Sequence, residues 1–286
     1  MVAFGSGADP CTQNAGGAVP EGDTVWLTAH RLDQALGGLA LARFELRVPA
    51  LATVRRPGAT VLEVLARGKH ILTRLDTGET LHTHLRMDGS YRIAAAGAPL
   101  PGPAHQVRVL LGNAKWAAVG LRVHDLRLLP TAHEAEVVGH LGPDLLGPDW
   151  SAEQALRRLR ADPERSVGEA LLDQRNLAGI GNMYKSECLF ITGVNPWSPV
   201  GSVATLPAVV EQARRLLRMN RDHPAQATTG STRRGEEHWV YLRSGQPCRR
   251  CRTPIRTAAQ GPPGQARSTY WCPRCQPGPG PADQRD

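Results

Sequence analysis

No run of about eighteen apolar residues occurs anywhere in the chain, so a membrane-spanning helix is excluded. The first nineteen residues lack both a basic start and an apolar core, which excludes a secretory signal. The chain therefore reads as cytosolic. Lysine is nearly missing: of 34 basic side chains, only Lys69, Lys115 and Lys185 are not arginine, so each lysine merits inspection. What is present is a 286-residue chain, 41% hydrophobic and 21% charged. That is enough for about two domains with real cores. A net charge of +8 makes a polyanionic partner plausible through counterion release.

Residues 1–19 are small, polar and rich in Gly and Ala, which predicts disorder. From Glu21 to Leu39, the spacing of Val25, Ala29, Leu32 and Leu36 predicts an amphipathic helix with Pro20 at its first turn. Residues 40–130 carry β-branched residues in partial alternation. "TVLEVLARGKHILTRL" and "TLHTHLRMDGSYRI" flank the turn signal "DTGE", and "HQVRVLL", "GNAK" and "WAAVGLRV" repeat strand–turn–strand. The second half reads as helical. Ser151 with Gln154 and Ser166 with Glu169 form capping-box pairs, and "LPAVVEQARRLLRMN" places Val210, Ala213 and Leu217 on one face. After Gly245 the chain turns rich in Cys, Arg, Pro and Gly, and the last residues read as a tail.

Cys248-x2-Cys251 and, twenty residues on, Cys272-x2-Cys275 supply four thiolates with the spacing of a structural zinc site. Two disulfides are the alternative, which a cytosolic chain disfavours. Arg249, Arg250, Arg252, Arg256 and Arg267 would make this finger basic. Cys11 and Cys188 read as an idle thiol and a buried helical one. In "DQRNLAGIGNMYKSE" a helix from about Ser166 to Gln174 stops, Gly179 and Gly181 permit a tight turn, and a second helix begins near Asn182. Its amides suit a phosphate, and Asn182 could both cap the helix and donate to a phosphate oxygen. Lys69 falls on a strand. His82 and His84 share a strand face with metal-like spacing, although surface or hydrogen-bonded roles are commoner. Met87 sits at a strand end.

Taken in order, "PEGDTV", "RGKHILT", "HLRMDGS", "QRNLAGIGNMYKSE" and "RSTYWCPRCQ" resemble the Fpg/Nei family: formamidopyrimidine-DNA glycosylases and endonuclease VIII enzymes. The resemblance runs from residue 20 to about 276. It implies an α+β multidomain protein, with a β-sandwich and leading helix over 20–132, a helix-two-turn-helix domain over 133–245 and a β-ribbon zinc finger over 246–276. Residues 277–286 form a tail. It further implies a monomer that grips damaged DNA between domains, with one structural Zn2+, no organic cofactor and no membrane.

By the same resemblance the nucleophile is the Pro20 amine, which attacks C1′ of the damaged nucleotide, expels the base and leaves an iminium. Glu21 is the acid that protonates the opening sugar, and Lys69 assists base loss and β-elimination. Arg267 holds the flanking phosphates and assists δ-elimination. Asn182 and Gly181 belong to the phosphate-binding motif, and Met87 is the candidate wedge for the flipped-out base. The purine-directed branch carries an "RRFG" loop; the corresponding "VGLRVHDLRLL" (119–129) lacks it, which points to oxidised pyrimidines. The finger segment "TAAQGPPGQARST" (257–269) is longer than the usual hairpin. The alternatives are a catalytically silent DNA-binding relative and a purine-lesion glycosylase. A Pro20 joined to Val19 has an amide nitrogen and cannot form an iminium. Valine in the place of an initiating methionine is what a GTG codon gives, so translation is expected to begin at codon 19.

Overall fold

Turn chemistry sets the order of the strands. In this computed structural model residues 20–281 are described; the expectations for residues 1–19, Cys11 and the end of the tail lie outside them. Helix α1 (Gly22–Leu36) buries Val25, Ala29, Leu32 and Leu36, as the periodicity requires. It stops three residues short of Leu39 because Gly37–Gly38 follow, and Gly38 turns to φ +70°, which ends a helix at little steric cost.

The strands that follow are β1 (Arg43–Leu46), β2 (Val61–Arg67), β3 (His70–Leu75), β4 (Glu79–His84), β5 (Ser90–Ala95), β6 (Val107–Gly112), β7 (Trp116–Leu121) and β8 (Asp125–Pro130). They form two four-stranded sheets, β1-β6-β7-β5 and β2-β3-β4-β8, the two layers of a β-sandwich. The pairing is antiparallel, with Ile71 opposite Thr83, Leu81 opposite Leu128 and Leu110 opposite Val119. "DTGE" is the β3–β4 turn. In "GNAK" the side-chain Oδ1 of Asn113 accepts from the backbone amides of Lys115 and Trp116, which reverses the chain between β6 and β7. Val107, Leu110, Ala117, Val119 and Leu121 form an apolar cluster on the first sheet.

These strands, up to Leu65 in β2, and residues 28–36 of α1 make one compact unit; residues 21–27, the end of β2 with the β2–β3 turn (66–69) and the chain after Glu134 make the other. The second unit contains α2 (Ala135–Val138), α3 (Ala152–Leu159), α4 (Val167–Leu172), α5 (Asn182–Thr192), α6 (Leu206–Asn220) and the ribbon β9 (Arg256–Gln260) and β10 (Arg267–Trp271). Ser151 caps α3 as expected, accepting from Gln154 N at 3.2 Å. Ser166 does not cap α4 with its side chain; its hydroxyl donates instead to the Glu169 carboxylate. Val209, Val210, Ala213, Leu216 and Leu217 of α6 pack with Met183, Tyr184, Cys188 and Leu189 of α5 in one buried core. No helix among the described residues is long and apolar enough to cross a membrane.

Candidate active site

The entry to α5 is built around Glu21. Gly181 is the residue before the helix, and the Glu21 carboxylate accepts its N–H at 2.6 Å and that of Met183 at 2.8 Å. The helix is thus capped by a carboxylate 160 residues away in sequence, complementing the positive end of the helix dipole. Glycine is required on both sides of this contact. A Cβ on Gly181 would fall 2.5 Å from Glu21 Cδ, and one on Gly22 would fall 2.9 Å from the Gly179 backbone. Gly22 N donates to Gly179 O at 2.8 Å, while Gly179 adopts φ +101°.

Glu21 is almost fully buried. Burial pushes its carboxyl up, the Lys69 ammonium pulls it down and the Asp23 carboxylate pushes it up again, leaving it at about 7. A carboxyl in that range can donate a proton at neutral pH.

Lys69 occupies the β2–β3 turn. Gly68 takes φ +59° and donates its N–H to Asp144 Oδ2 at 2.6 Å, which fixes the turn that carries the lysine. Correcting the strand assignment, Lys69 therefore sits at a turn apex, half-buried. Burial lowers its ammonium below the usual lysine range; Glu21 opposes this and Arg267 reinforces it. Arg267 is exposed at the start of β10. Asn182 donates from Nδ2 to Ser268 O at 2.8 Å, tying α5 to the residue after Arg267. Asn182 is the first residue of α5 and does not cap it; the cap role belongs to Glu21. Its amide nitrogen carries a second N–H. Glu21, Lys69, Asn182 and Arg267 thus all lie in the second unit, and Pro20, directly before Glu21, is buried.

The four cysteines converge. The Sγ atoms of Cys248, Cys251, Cys272 and Cys275 lie within 4.8 Å of one another, with Cys248 to Cys275 at 3.9 Å and Cys251 to Cys272 at 3.4 Å. Four Zn–S bonds of about 2.3 Å in a tetrahedron require sulfur separations of about 3.8 Å, so the set fits zinc. All four positions are filled by protein, which makes the zinc structural. Two of the finger arginines are engaged by the protein. Arg250 donates to Phe190 O and Ile191 O at the end of α5, with its guanidinium 4.4 Å from the Phe190 ring centroid. Arg249 donates to His238 O and Gly235 O. The lengthened hairpin becomes an exposed tip over 262–266.

Met87 is exposed in the β4–β5 turn, at 64%. His82 is buried and hydrogen-bonded, its Nε2 2.7 Å from His70 Nδ1, and burial lowers its ring to about 4. Among the described residues the cysteines form the one group of three or more side chains placed to hold a metal, and His84 Nδ1 accepts from Arg86 N at 3.0 Å.

Three buried charges escaped the sequence reading. Asp23 accepts from Tyr184 OH at 2.6 Å and from Gln226 Nε2 at 3.0 Å. Lys185 donates to Thr269 Oγ1 at 2.5 Å. Glu187 accepts from the backbone N–H groups of Trp239, Val240 and Tyr241 and from the Thr228 hydroxyl. "PEGDTV" and "YKSE" contain all three, but helix periodicity gives no sign that their charges point inward.

Comparison with known proteins agrees with this architecture. The model of the formamidopyrimidine-DNA glycosylase N-terminal domain matches residues 19–131 and that of the formamidopyrimidine-DNA glycosylase H2TH domain matches 141–220. The zinc finger found in FPG and IleRS matches 245–278. The Streptomyces coelicolor protein described as probable endonuclease 8 2 is 56% identical over 92% of this chain and 96% of its own length. The DNA-(apurinic or apyrimidinic site) lyase Nei2 of Mycolicibacterium smegmatis is 46% identical over 90% and 99%. In fold, the chain resembles the Lactococcus lactis formamidopyrimidine-DNA glycosylase crystallised with abasic-site DNA. That likeness has a TM-score of 0.74 at 22% identity and covers 90% of this chain and 100% of the other. With its sandwich, its helical motif and its four-cysteine finger, this chain belongs to the Fpg/Nei family of DNA glycosylases.

Proposed function

We propose that this protein is an endonuclease VIII-type DNA glycosylase and abasic-site lyase of base-excision repair, working through Pro20, Glu21, Lys69 and Arg267. The observation that carries the reading is the buried Glu21 carboxyl at the head of α5, poised at about 7 with Lys69 beside it. A mere grip on the DNA backbone requires neither group.

As a free N-terminal amine Pro20 would have a pKa of roughly 7.7–8.0, so a useful fraction is neutral near physiological pH. Its lone pair attacks C1′, the glycosidic bond breaks with its electrons leaving on the base, the amine gives up its proton, and an iminium joins enzyme and sugar as the C1′–O4′ bond opens. Glu21 protonates the opening sugar ring. Lys69, its ammonium weakened by burial, assists base loss and removal of the sugar proton in β-elimination. Arg267 and the second N–H of Asn182 hold the flanking phosphates, and Arg267 assists δ-elimination. Met87, exposed at a turn, fills the gap left by the flipped nucleotide. Zinc takes no part in the chemistry; it shapes the finger that carries Arg267.

Oxidised pyrimidines are the proposed substrates, since residues 119–129 carry no Arg–Phe pair. The partner is damaged DNA, and the protein acts as a cytoplasmic monomer. The chemistry demands that Pro20 be the mature N-terminus. The test is borohydride trapping on abasic-site DNA with a chain beginning at Pro20, its Pro20→Gly variant and the 286-residue chain. Trapping by the first alone supports the reading, and equal trapping by all three sinks the nucleophile. Excision from thymine glycol duplexes in preference to 8-oxoguanine duplexes supports the pyrimidine assignment; the reverse overturns it.

A further inference from the structure

Two carboxylates from one short segment converge on the head of α5. We propose that Asp23 is a positioning residue for Glu21: Tyr184 and Gln226 hold its carboxylate on the same turn of α5 that binds the catalytic carboxyl, where its negative charge favours the protonated form of Glu21. The proposal rests on Glu21 being the acid, as argued above.

The need for such a residue follows from the geometry around Glu21. Its two oxygens accept N–H groups from Gly181 and Met183, at the positive end of a helix and in the field of Lys69. Hydrogen bonds, dipole and cation all favour the anion. Left to these alone, Glu21 would be ionised and useless as an acid at neutral pH. Burial opposes them, and a second negative charge close by opposes them further.

Asp23 is placed to supply that charge. It is 1% exposed, yet its carboxylate receives the Tyr184 hydroxyl at 2.6 Å and Gln226 Nε2 at 3.0 Å to each oxygen. Burial pushes its carboxyl above the ordinary aspartate range, and these donors oppose that rise by favouring the charged form. Tyr184 lies one residue beyond Met183, so one turn of α5 binds both carboxyls. Gln226 comes from the segment after α6 and also donates to Thr24 Oγ1 at 3.2 Å, clamping the residues next to Asp23.

The other titratable groups in the field of Glu21 are Lys69 from the β2–β3 turn, Tyr184, Lys185 and Cys188 from α5, and Tyr241 ahead of the finger. Burial holds the two tyrosines and Cys188 neutral at physiological pH. Lys69 and Lys185 would lower Glu21, so Asp23 is the nearby charge that raises it.

The test is the pH dependence of single-turnover cleavage of abasic-site duplex by the protein beginning at Pro20, for wild type, Asp23→Asn and Glu21→Gln. For Asp23→Asn the alkaline limb moves to lower pH by up to about one unit, a loss of up to about tenfold on that limb. The rate on the acid side and the KM stay within about twofold, because the helix cap is untouched. Asp23→Glu restores the limb. Asp23→Ser removes the charge with less bulk and serves if the asparagine variant does not fold. A uniform drop at every pH, with the limb in place, makes Asp23 a structural tether and overturns the proposal. If Glu21→Gln retains the alkaline limb, the acid assignment itself fails, whatever Asp23 does. If Glu21→Gln loses the limb while Asp23→Asn keeps it, this proposal alone fails.

Discussion

Replacing Lys185 by methionine should change how stability depends on pH more than it changes stability at any one pH. Lys185 is fully buried on α5, donating to Thr269 Oγ1 at 2.5 Å with Gln260 Oε1 at 3.5 Å. Burial lowers its ammonium to about 7, against about 10.4 in an unfolded chain. Between those values the unfolded state binds more protons than the folded one, so stability rises with pH across the window. From about pH 6.5 to about pH 8.5 the folded lysine goes from mostly charged to mostly neutral, and the wild type gains about 2 kcal/mol from this group. For a chain of this size that is roughly 4–8 °C in Tm.

Methionine fills similar space and removes the titration. Thr269 Oγ1 keeps a partner in Gln260 Oε1 at 3.0 Å, so no orphaned hydroxyl confuses the result. Thermal melts of both proteins across this pH range, at fixed zinc, give the difference directly. The variant should be the more stable at the acid end, and its advantage should shrink by about 2 kcal/mol toward the alkaline end. A constant difference would show that Lys185 stays charged in the fold and would refute the reasoning.

Glu187→Gln places an NH2 group against some of the three backbone N–H groups and the hydroxyl that the carboxylate now accepts. It should cost about 2–4 kcal/mol and speed proteolytic cleavage within 221–241, measured by melts and limited proteolysis. Zinc analysis should return one equivalent; Cys248→Ser or a strong chelator should release it, raise amide exchange in β9 and β10 and weaken DNA binding, whereas a finger that keeps its exchange protection without metal would contradict the structural role. Met87→Ala should slow excision from duplex DNA by about tenfold or more, since filling the gap offsets a few kcal/mol of unstacking. Cleavage of a preformed abasic site in a single strand should change little. Equal losses on both substrates would count against the wedge.

Local signals were legible where local chemistry decides. The α1 stripe, the "DTGE" and "GNAK" turns and the Ser151 cap each depend on residues a few positions apart. The cysteine pairs were legible for the same reason: two knuckles with fixed internal spacing need only a hairpin to meet. The Ser166–Glu169 pair opens α4 but does not cap it, because the two side chains bond each other and not the helix amides; the Asn182 cap failed because it presumed a local partner where a distant one competes. Glu21 takes the head of α5, and Asn182 turns instead to Ser268. Lys69 was assigned to a strand because "RGKHIL" alternates, but the Gly68–Asp144 hydrogen bond turns the chain there.

The sequence by itself determined the family and the metal ligands and marked the groups proposed to react, because ordered motifs and thiolate spacing are carried by the chain whatever its path. Only the tertiary structure decided the state of those groups. Whether Glu21 holds a proton at neutral pH depends on how deeply it is buried, on two amides 160 and 162 residues away and on the charges of Lys69 and Asp23. Electric fields and desolvation act through space, and periodicity along a chain does not record which charges folding will bring together.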